Sequence, residues 1–309
     1  MKSLVTGCAG FIGSHLTERL LDEGFKVIGI DCFTDYYSRN IKENNLENAL
    51  KSGNFTFMEK DMTTLDRFPD VDYVFHQAAQ AGVRKSWGKE FEIYLHHNIL
   101  ATQKLLEFYK DKKIEKFVYA SSSSVYGDTE LPMREDKRLK PVSPYGVSKL
   151  AAENLCYLYW KNFNVPTVSL RYFTVYGERQ RPDMAFHKFI KAIMDKEEFS
   201  VFGDGEQTRD FTYVEDIVES NLLAAKSSLS GEVLNVGGGS RVSVNYLIKS
   251  LEKLLGEKAI VKYSEKQKGD VRDTLADTTK IESQLGWKPN TEIEDGLRRQ
   301  IEWMKSIYR

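Results

Sequence analysis

The amino-acid sequence predicts an α/β fold, in which a doubly wound parallel sheet carries a smaller C-terminal α/β cap. Three observations lead to this prediction. Apolar strand-like runs alternate with helix-length segments up to about residue 172, glycines crowd the turn after the first run, and the loops lengthen beyond residue 173. Strands that are apolar on both faces are typical of parallel sheets covered by helices on each side.

Six strands are predicted in the N-terminal part, from short runs rich in β-branched and aromatic residues. The first helix is predicted over residues 11–23, because Ile12, Leu16 and Leu20 recur at helical spacing and Gly24 follows as a stop. Further helices are predicted around residues 40–51, 88–111 and 145–163. The six strands fall at residues 4–6, 26–30, 55–57, 73–75, 117–120 and 167–170.

Beyond residue 173 the sequence changes in character and predicts a second unit. Loops rich in Arg, Gly and Asp span residues 176–183 and 203–206. A strand is predicted over residues 232–236, and helices near residues 243–255, 278–285 and 291–307. We therefore predict a first domain over residues 1–172, to which residues 211–237 return, and a cap over residues 173–309. Open α/β sheets bind ligands at the carboxyl ends of their strands, so a cap there would form a cleft.

The composition argues against several classes of protein. The chain has 44 Lys and Arg against 45 Asp and Glu, whereas nucleic-acid-binding surfaces usually show a basic excess. No apolar run approaches the ~18 residues of a membrane-spanning helix, and the first residues do not fit a secretory signal. Cys8, Cys32 and Cys156 are widely spread, which favours a reducing, cytoplasmic compartment. We expect no nucleic-acid partner, no membrane segment and no metal site, since His96 and His97 are adjacent and form none alone.

The turn over residues 6–13 carries glycines at positions 7, 10 and 13. One glycine allows the tight turn, another lets the backbone approach a pyrophosphate, and the third lets the helix pack on the strand. Glycines of an ordinary strand–helix turn are the alternative. Asp31 ends the second strand, where a carboxylate accepts hydrogen bonds from a ribose diol and repels a 2′-phosphate. The sequence therefore predicts a Rossmann domain that binds NAD rather than NADP.

Asp61 and Met62 follow the third strand directly and would there meet the adenine of such a cofactor. A solvated loop is an equal alternative for Asp61.

Two hydroxyl-bearing segments suggest catalysis. Tyr145 and Lys149 lie four residues apart at the start of a predicted helix, which places both side chains on one face. A nearby cation stabilises a phenolate and lowers the pKa of the tyrosine. A serine run over residues 121–124 follows the fifth strand, where hydroxyls can polarise a substrate oxygen. An exposed helix face and an ordinary loop are the alternatives for each segment taken alone.

With these segments in this order, the sequence resembles the extended short-chain dehydrogenase/reductase superfamily, in its nucleotide-sugar epimerase/dehydratase branch. The resemblance covers essentially the whole chain. It rests on residues 6–13, Asp31, residues 76–79, residues 121–127, Tyr145 with Lys149, residues 171–173, residues 203–205, Gln207, residues 209–211 and residues 269–271.

The resemblance implies a role for each catalytic residue. Tyr145 is the acid/base, and Lys149 holds the nicotinamide ribose and tunes the tyrosine. Ser122 is the first choice for the hydroxyl that hydrogen-bonds the reacting group, with Ser123 and Ser124 close behind. By position in the shared segments, it also implies that the NAD site includes Gly7, Gly10, Phe11, Ile12, Gly13, Asp31, Asp61, Met62, Ala78, Ala79 and Tyr172.

Three reactions compete within this branch, and all begin with oxidation of sugar C4 by NAD to a 4-keto sugar. The 4,6-dehydratases carry an Asp-Glu pair, and UDP-glucuronate decarboxylases a Glu, within the serine segment. Here Ser123 and Ser124 stand in those positions, so elimination of water is disfavoured. An epimerase needs only rotation of the keto intermediate and return of the hydride to its other face. The resemblance therefore favours a 4-epimerase, with decarboxylation as an alternative.

The sugar is indicated by further resemblance to the UDP-glucuronate 4-epimerase group, over residues 80–84, 173–177 and 181–185. Galactose-type epimerases usually have Asn where this chain has Thr174. Arg181 offers a fork suited to the C6 carboxylate, and Ser123 and Thr174 offer hydroxyls. Two alternatives stay open: Arg181 pairs with an acidic neighbour such as Asp183 or Glu178, or Arg179 meets the carboxylate instead. UDP-glucose or UDP-N-acetylglucosamine is the alternative sugar.

The resemblance also implies a uridine diphosphate site in the cap. Val201 and Phe202 resemble the segment that sandwiches uracil, and Gln207 lies in a shared segment. Arg209 is expected at the diphosphate and Asp270 at the uridine ribose. Arg84 and Arg272 are expected near the phosphates, although each arginine alone is more often a surface charge.

A homodimer is also expected, because in relatives the Tyr145 helix, with Tyr157, Tyr159 and Trp160, pairs with residues 93–111 across an interface. Ordinary core packing would explain the same aromatic residues. A catalytically idle nucleotide-binding protein is the alternative of a different class.

Overall fold

The computed structural model describes residues 1–265 and 267–308 and places seven parallel strands in one central sheet. The sheet order is β10-β6-β5-β4-β1-β2-β3. In chain order the strands are β1 (Lys2–Thr6), β2 (Lys26–Asp31), β3 (Phe55–Glu59), β4 (Tyr73–His76), β5 (Lys116–Ser122), β6 (Thr167–Tyr172), β7 (Thr174–Tyr176), β8 (Glu198–Phe202), β9 (Thr208–Tyr213), β10 (Glu232–Val236), β11 (Ser240–Ser243) and β12 (Ile260–Ser264).

The α-helices cover both faces of this sheet and build most of the cap. Two of them, α3 and α4, form one broken helical segment with the π-helical turn that lies between them. In chain order the helices are α1 (Phe11–Asp22), α2 (Arg39–Leu50), α3 (Phe91–Tyr94), α4 (Ala101–Tyr109), α5 (Pro144–Phe163), α6 (Ala185–Asp195), α7 (Val214–Lys226), α8 (Val244–Leu255), α9 (Thr279–Leu285) and α10 (Ile293–Tyr308).

Side chains that alternate along the strands divide the core into two layers, as the two-residue period of a strand requires. Val5 packs in the layer that contains α1 and α7, whereas Leu4 packs in the layer that contains α4 and α5. The same division separates Val118 from Phe117 on β5. Because both faces are covered, every residue of β5 is buried.

The strand order reverses between β1 and β4, and the chain runs outward from this point in both directions. Such a switch point leaves a crevice at the carboxyl ends of the two strands, where α/β sheets bind ligands. The predicted doubly wound parallel sheet of the Rossmann type is confirmed.

The cap contains a three-stranded sheet of order β11-β9-β7 and a two-stranded pair of β12 with β8. Helix α7 packs on α1, and β10 pairs with β6, so both lie on the central sheet, whereas Phe211 to Tyr213 belong to β9 of the small sheet. Helices α6 and α7 were absent from the sequence prediction. Their apolar spacing, as at Phe186, Phe189 and Ile190, lies in segments to which the sequence analysis assigned no element. No helix within the described residues is both long and apolar enough to cross a bilayer.

The helix predicted over residues 88–111 is interrupted. A 3₁₀ turn precedes α3, and a π-helical turn over Leu95–Leu100 joins α3 to α4. Within this turn the Asn98 side chain accepts from the backbone N–H of Gln80 and donates to its carbonyl and to Ser148. π-Helical turns are frequent at functional sites, and this one carries His97 to the wall of the cavity described below.

The N-cap of α5 yields a first prediction, because this helix carries Tyr145. The Ser143 side chain accepts from the backbone N–H of Gly146 at 3.1 Å. Ser143→Ala is expected to lower the free energy of unfolding by about 1 kcal/mol, the usual contribution of such a cap. Urea unfolding measures this change.

Ser243→Ala is the matched control. The Ser243 side chain accepts from the backbone N–H of Tyr246 at the start of α8 in the same way, but this helix belongs to the C-terminal unit. Both variants should lose similar stability, and only Ser143→Ala should also lower turnover. Unchanged stability in Ser143→Ala would show that its cap contributes nothing.

Candidate active site

A cavity of ≈ 220 Å³ opens at the switch point of the central sheet. The glycine turn, the ends of β2 and β4, and the start of α5 surround it. It is lined by every residue for which the sequence predicted a cofactor contact: Gly7, Gly10, Phe11, Ile12, Gly13, Asp31, Asp61, Met62, Ala78, Ala79, Tyr145, Lys149 and Tyr172.

The glycine turn is packed too tightly for side chains at two of its positions. Gly7 has a φ of +69°, and a Cβ there would lie 2.8 Å from the backbone of Ala78. A Cβ on Gly13 would lie 2.1 Å from the Gly7 carbonyl oxygen, where α1 meets the turn. The first turn of α1 therefore presents its backbone N–H groups to the cavity, as a pyrophosphate site requires.

Asp31 is fixed at the carboxyl end of β2 by the backbone. Its carboxylate oxygens accept from the N–H groups of Ala9 at 3.2 Å and Phe33 at 2.9 Å. Burial raises the pKa of Asp31, while these hydrogen bonds and the charge of Lys42 lower it. A carboxylate held in this position retains lone pairs for a ribose diol and disfavours a 2′-phosphate. The cavity residues therefore fit a dinucleotide with an unmodified ribose.

Asp61 lies at one end of the cavity and is not simply a solvated loop residue. Its carboxylate accepts from the backbone N–H and the hydroxyl of Thr63, and Nε2 of His96 lies 3.3 Å away. The Thr63 hydroxyl is also 2.6 Å from that Nε2. Asp61, His96 and His97 lie close enough together that their side chains could all reach one metal ion. The sequence did not indicate this juxtaposition. These hydrogen bonds fix the Asp61 carboxylate at the wall of the cavity.

Tyr145 and Lys149 lie on one face of the first turns of α5, as their spacing predicted, and both face the cavity. Burial raises the pKa of Tyr145, whereas a hydrogen bond with Ser122 and the charge of Arg181 lower it. Burial lowers the pKa of Lys149 to about 8. Ser122 ends β5, and Ser123 and Ser124 lie in the 3₁₀ turn that follows. None of these three predicted catalytic serines is among the residues that line either cavity.

The buried ammonium of Lys149 yields a second prediction. Its pKa of about 8 lies below the usual 10.5, so between these values the unfolded chain binds more protons than the folded chain. Stability therefore rises with pH through this window, and at pH 7 the buried charge costs up to about 3 kcal/mol. Lys149→Met should raise the free energy of unfolding of the cofactor-free protein at pH 7.

Urea unfolding at pH 7 and pH 10 measures this effect. The advantage of Lys149→Met is expected to shrink at the higher pH, because the wild-type lysine is then largely neutral. A variant that is less stable than wild type at pH 7, or an advantage independent of pH, would contradict this prediction.

A second cavity of ≈ 490 Å³ lies between the central sheet and the cap. Tyr36 lines both cavities and marks the boundary between them. Seven of the nine residues that the sequence assigned to substrate line the second cavity: Arg84, Thr174, Val201, Phe202, Gln207, Arg209 and Asp270.

Four of these side chains contact one another or the nearby backbone. The Arg84 guanidinium lies 4.3 Å from the ring centroid of Phe202 and forms an ion pair with Asp270 at 2.7 Å. Arg209 donates to the carbonyls of Thr208, Val271 and Arg272 and so fixes the loop beside the cavity. An aromatic ring, two arginines and a carboxylate therefore share one wall of this cavity.

Arg272 differs from the prediction. It lines neither cavity, and its guanidinium lies 3.6 Å from Asp204 and 3.8 Å from Asp273 on an exposed surface. Its backbone carbonyl, rather than its side chain, contributes to the site by accepting from Arg209.

Arg181 and Arg179 have different environments. Arg179 forms an ion pair with Glu18 on α1 at 2.8 Å and lines neither cavity. Arg181 lines the first cavity, and its Nε and Nη2 donate to Asp183 at 2.9 and 3.0 Å. Its Nη1 has no partner among the described residues and remains accessible. The acidic partner left open by the sequence is present, but it occupies only one edge of the guanidinium.

Several cavity residues were missed by the sequence reasoning. Tyr36 and Tyr37 follow β2 at its carboxyl end, a position that could have identified them. The Tyr36 hydroxyl donates to Asp183 at 3.2 Å and so contacts the partner of Arg181. His97 and Gln80 also line the first cavity, but no local pattern distinguishes them.

Comparisons with known proteins agree with this site. The UDP-glucuronate 4-epimerase of Thermodesulfobacterium geofontis is 41% identical over 310 residues, which cover 98% of this chain and 95% of that protein. An uncharacterised UDP-glucose epimerase of Bacillus subtilis is 46% identical over 314 residues, covering 100% and 99%. The crystal structure of UDP-glucuronic acid 4-epimerase from Bacillus cereus, in complex with UDP-glucuronic acid and NAD, matches with a TM-score of 0.97 at 43% identity and covers 100% of both chains.

The family model described as GDP-mannose 4,6 dehydratase matches residues 4–300, nearly the whole chain. This match agrees with the resemblance that the sequence showed at the glycine turn and at Tyr145 and Lys149. The chain belongs to the GDP-mannose 4,6 dehydratase family, within the extended short-chain dehydrogenases/reductases.

Proposed function

We propose that the protein is an NAD-dependent UDP-sugar 4-epimerase that converts UDP-glucuronate to UDP-galacturonate. One observation carries this proposal: Tyr145 and Lys149 lie in a dinucleotide-shaped cavity that adjoins a second, arginine-bearing cavity. Relatives with these names, and a solved neighbour with UDP-glucuronic acid and NAD bound, support it.

NAD, when bound, supplies the acceptor of a hydride from sugar C4 and the donor that returns it to the opposite face. The chain itself handles the proton. Tyr145 takes the proton of the C4 hydroxyl and gives it back, while Ser122 hydrogen-bonds the same tyrosine. The positive charge of Arg181 favours the phenolate, although burial holds the pKa of Tyr145 above its usual value.

Epimerisation suits this site better than elimination of water. Ser123 and Ser124 stand where the resembling dehydratases carry carboxylates, so these positions offer no group to remove the C5 proton. A hydroxyl group can hold a substrate oxygen without acting as a strong base. The reaction proposed therefore needs no base besides Tyr145.

Arg181 supports a substrate that carries a C6 carboxylate. Its accessible Nη1 can donate to a carboxylate while Asp183 holds its other edge. Fixing that carboxylate also matters because a 4-keto uronate is a β-keto acid, which loses CO2 when its carboxylate lies perpendicular to the keto group. We propose that Arg181, with Thr174 and Ser123, restrains this rotation.

A neutral sugar is the second candidate, and one observation favours it. Asp183 already balances the charge of Arg181, which weakens the attraction for a second carboxylate. UDP-glucose and UDP-N-acetylglucosamine are then the alternatives, and UDP-glucuronate decarboxylation is the alternative reaction. The test is to offer each of the three UDP-sugars without added NAD and to identify the products. UDP-galacturonate supports the proposal, whereas a UDP-pentose, or a UDP-4-keto-pentose with free NADH, would overturn it in favour of decarboxylation.

We also propose that residues 1–172 bind NAD, that residues 173–309 bind the nucleotide sugar, and that residues 211–237, apart from Phe211 to Tyr213 in β9 of the small sheet, return to the first unit. The two cavities support this division, because the NAD-fitting cavity is lined almost wholly from residues before 173. We further propose a cytoplasmic location, supported by three cysteines that are all free.

A homodimer is proposed through α5 and the helical segment 91–109. Tyr157 and Leu158 on α5 are 51% and 47% exposed, and Leu95 and Leu100 on the neighbouring segment are also exposed. Apolar side chains that cluster on adjacent helices are typical of an interface. Tyr159, which was expected at the interface, instead points into the protomer and donates to Glu107.

Light scattering during size-exclusion chromatography tests the dimer. The wild type is expected at twice the mass of the chain, and Leu158→Asp is expected to shift it towards the monomer because a charge would be buried at the interface. Leu50→Asp is the matched control, since Leu50 is equally apolar and exposed but lies on α2. A monomeric wild type would contradict the proposal.

A further inference from the structure

The ammonium group of Lys149 lies over the aromatic ring of Tyr119, with Nζ 4.6 Å from the ring centroid. Tyr119 belongs to β5 and is only 1% exposed. We propose that Tyr119 is a positioning residue for the reaction, whose ring face holds the Lys149 ammonium beneath the cofactor cavity. This inference rests on the proposed function, because it assigns a partner to a residue of the same site.

The ring is the main protein partner that the ammonium has. Among residues 1–265 and 267–308, no hydrogen bond or ion pair to Nζ of Lys149 is formed, although this lysine is buried. A buried cation without a partner is strongly disfavoured. Attraction to an aromatic face compensates part of this cost and is strongest where water is excluded. It also leaves the N–H groups of the ammonium free for a ligand in the cavity.

The hydroxyl of Tyr119 does not explain its position. This oxygen is buried and has no hydrogen-bond partner among the described residues. Such an unpaired group is a cost to folding, so the useful part of the side chain is its ring. The ring packs 5.6 Å from the His76 ring, and the two nitrogens of His76 lie 2.7 Å from the Thr6 hydroxyl and 2.8 Å from that of Thr102. These contacts hold the Tyr119 ring in a fixed position.

The titratable groups around Lys149 neither repel the ammonium nor form an ion pair with it. Burial lowers the pKa of His76 to about 3, so His76 stays neutral and does not repel the ammonium. Glu153, on α5, is paired with Arg171 of β6 at 2.6 Å and accepts from Ser121. Its charge is thus largely balanced by Arg171.

The remaining titratable groups near the ammonium are neutral. Burial raises the pKa of the Cys156 thiol, one helical turn beyond Glu153, and of the Tyr119 hydroxyl itself. Tyr145 lies on the same helix as Lys149, and burial raises its pKa as well. Cys156 and Glu153 also raise the pKa of Lys149, but the Tyr119 ring is the side chain that the ammonium directly faces.

The test compares Tyr119→Leu, which removes the ring, with Tyr119→Phe, which removes only the hydroxyl. NAD affinity is measured against pH in the full-length protein, and kcat against pH in the holoenzyme. In Tyr119→Leu both alkaline midpoints should fall by about one pH unit, which is a tenfold change in the ionisation of Lys149. Tyr119→Phe should restore the wild-type midpoints.

Phe117→Leu is the matched control, because Phe117 is buried on the same face of β5 and does not contact the ammonium. It should lose stability without moving either midpoint. Wild-type midpoints in Tyr119→Leu would reduce Tyr119 to a packing residue, and an equal shift in Tyr119→Phe would assign the effect to the hydroxyl; either result overturns the proposal. The binding midpoint needs no turnover, so it still tests Tyr119 if the proposed epimerase activity fails.

Discussion

Tyr145→Phe is expected to lower kcat for UDP-glucuronate by about 10²–10⁴-fold, the usual contribution of a positioned acid/base. The variant keeps the ring that fills the buried start of α5 and loses only the atom that takes the C4 proton. Binding of NAD and of the UDP-sugar should change little. Turnover by chromatography of the UDP-sugars, with binding by calorimetry, measures both effects.

Tyr157→Phe is the control for this change, because Tyr157 lies on the same helix but is exposed. It should retain wild-type turnover. If Tyr145→Phe kept kcat within tenfold of wild type, another group would have to take the proton, and the proposed mechanism would be wrong.

Arg181→Met is expected to lower kcat/KM for UDP-glucuronate by about 10²–10³-fold, because truncating one partner of a hydrogen-bonded charge pair at a binding interface typically costs about 2–5 kcal/mol. UDP-glucose should be affected far less, since it brings no carboxylate. With either sugar, the pH dependence of turnover by the variant should shift to higher pH. The charge of Arg181 lowers the pKa of Tyr145, so loss of this charge raises that pKa. Steady-state kinetics with both sugars across pH separate the two roles.

Two controls make this prediction specific. Arg179→Met removes an arginine that pairs with Glu18 away from both cavities, so it should leave sugar selectivity unchanged. Arg181→Met with Asp183→Asn removes the unpaired carboxylate that the single change leaves behind. If kcat/KM fell equally for both sugars in the single and in the double variant, Arg181 would stabilise the site without binding the substrate carboxylate.

The parts of the site that the sequence predicted are formed by residues that lie close together along the chain. The glycine turn needs three glycines within one strand–helix junction, and Asp31 needs only the end of a strand. Tyr145 and Lys149 share a helix face because of their spacing. Since parallel strands end at one edge of the sheet, these segments meet without further information.

The remaining parts depend on contacts between distant segments, which no local pattern records. Asp61 meets His96 only because a π-helical turn redirects that segment. Arg181 is balanced by Asp183, and Tyr36 reaches the same carboxylate from a loop almost 150 residues earlier in the chain. Arg272 matches a family position, yet nearby carboxylates hold its side chain on the surface. The partner of Lys149 is likewise set by its packing against β5.

The most direct test of the proposed reaction uses UDP-glucuronate with deuterium at C4, mixed with UDP-glucuronate that has hydrogen at C4 and a different isotope in its ring. The enzyme is supplied without added NAD, and the products are analysed by mass spectrometry and NMR. If the hydride returns to the sugar from which it came, UDP-galacturonate will retain deuterium at C4 with no transfer between the two substrate pools. Loss of the deuterium to solvent, its transfer to the other pool, or a UDP-pentose product would contradict the proposed epimerase mechanism.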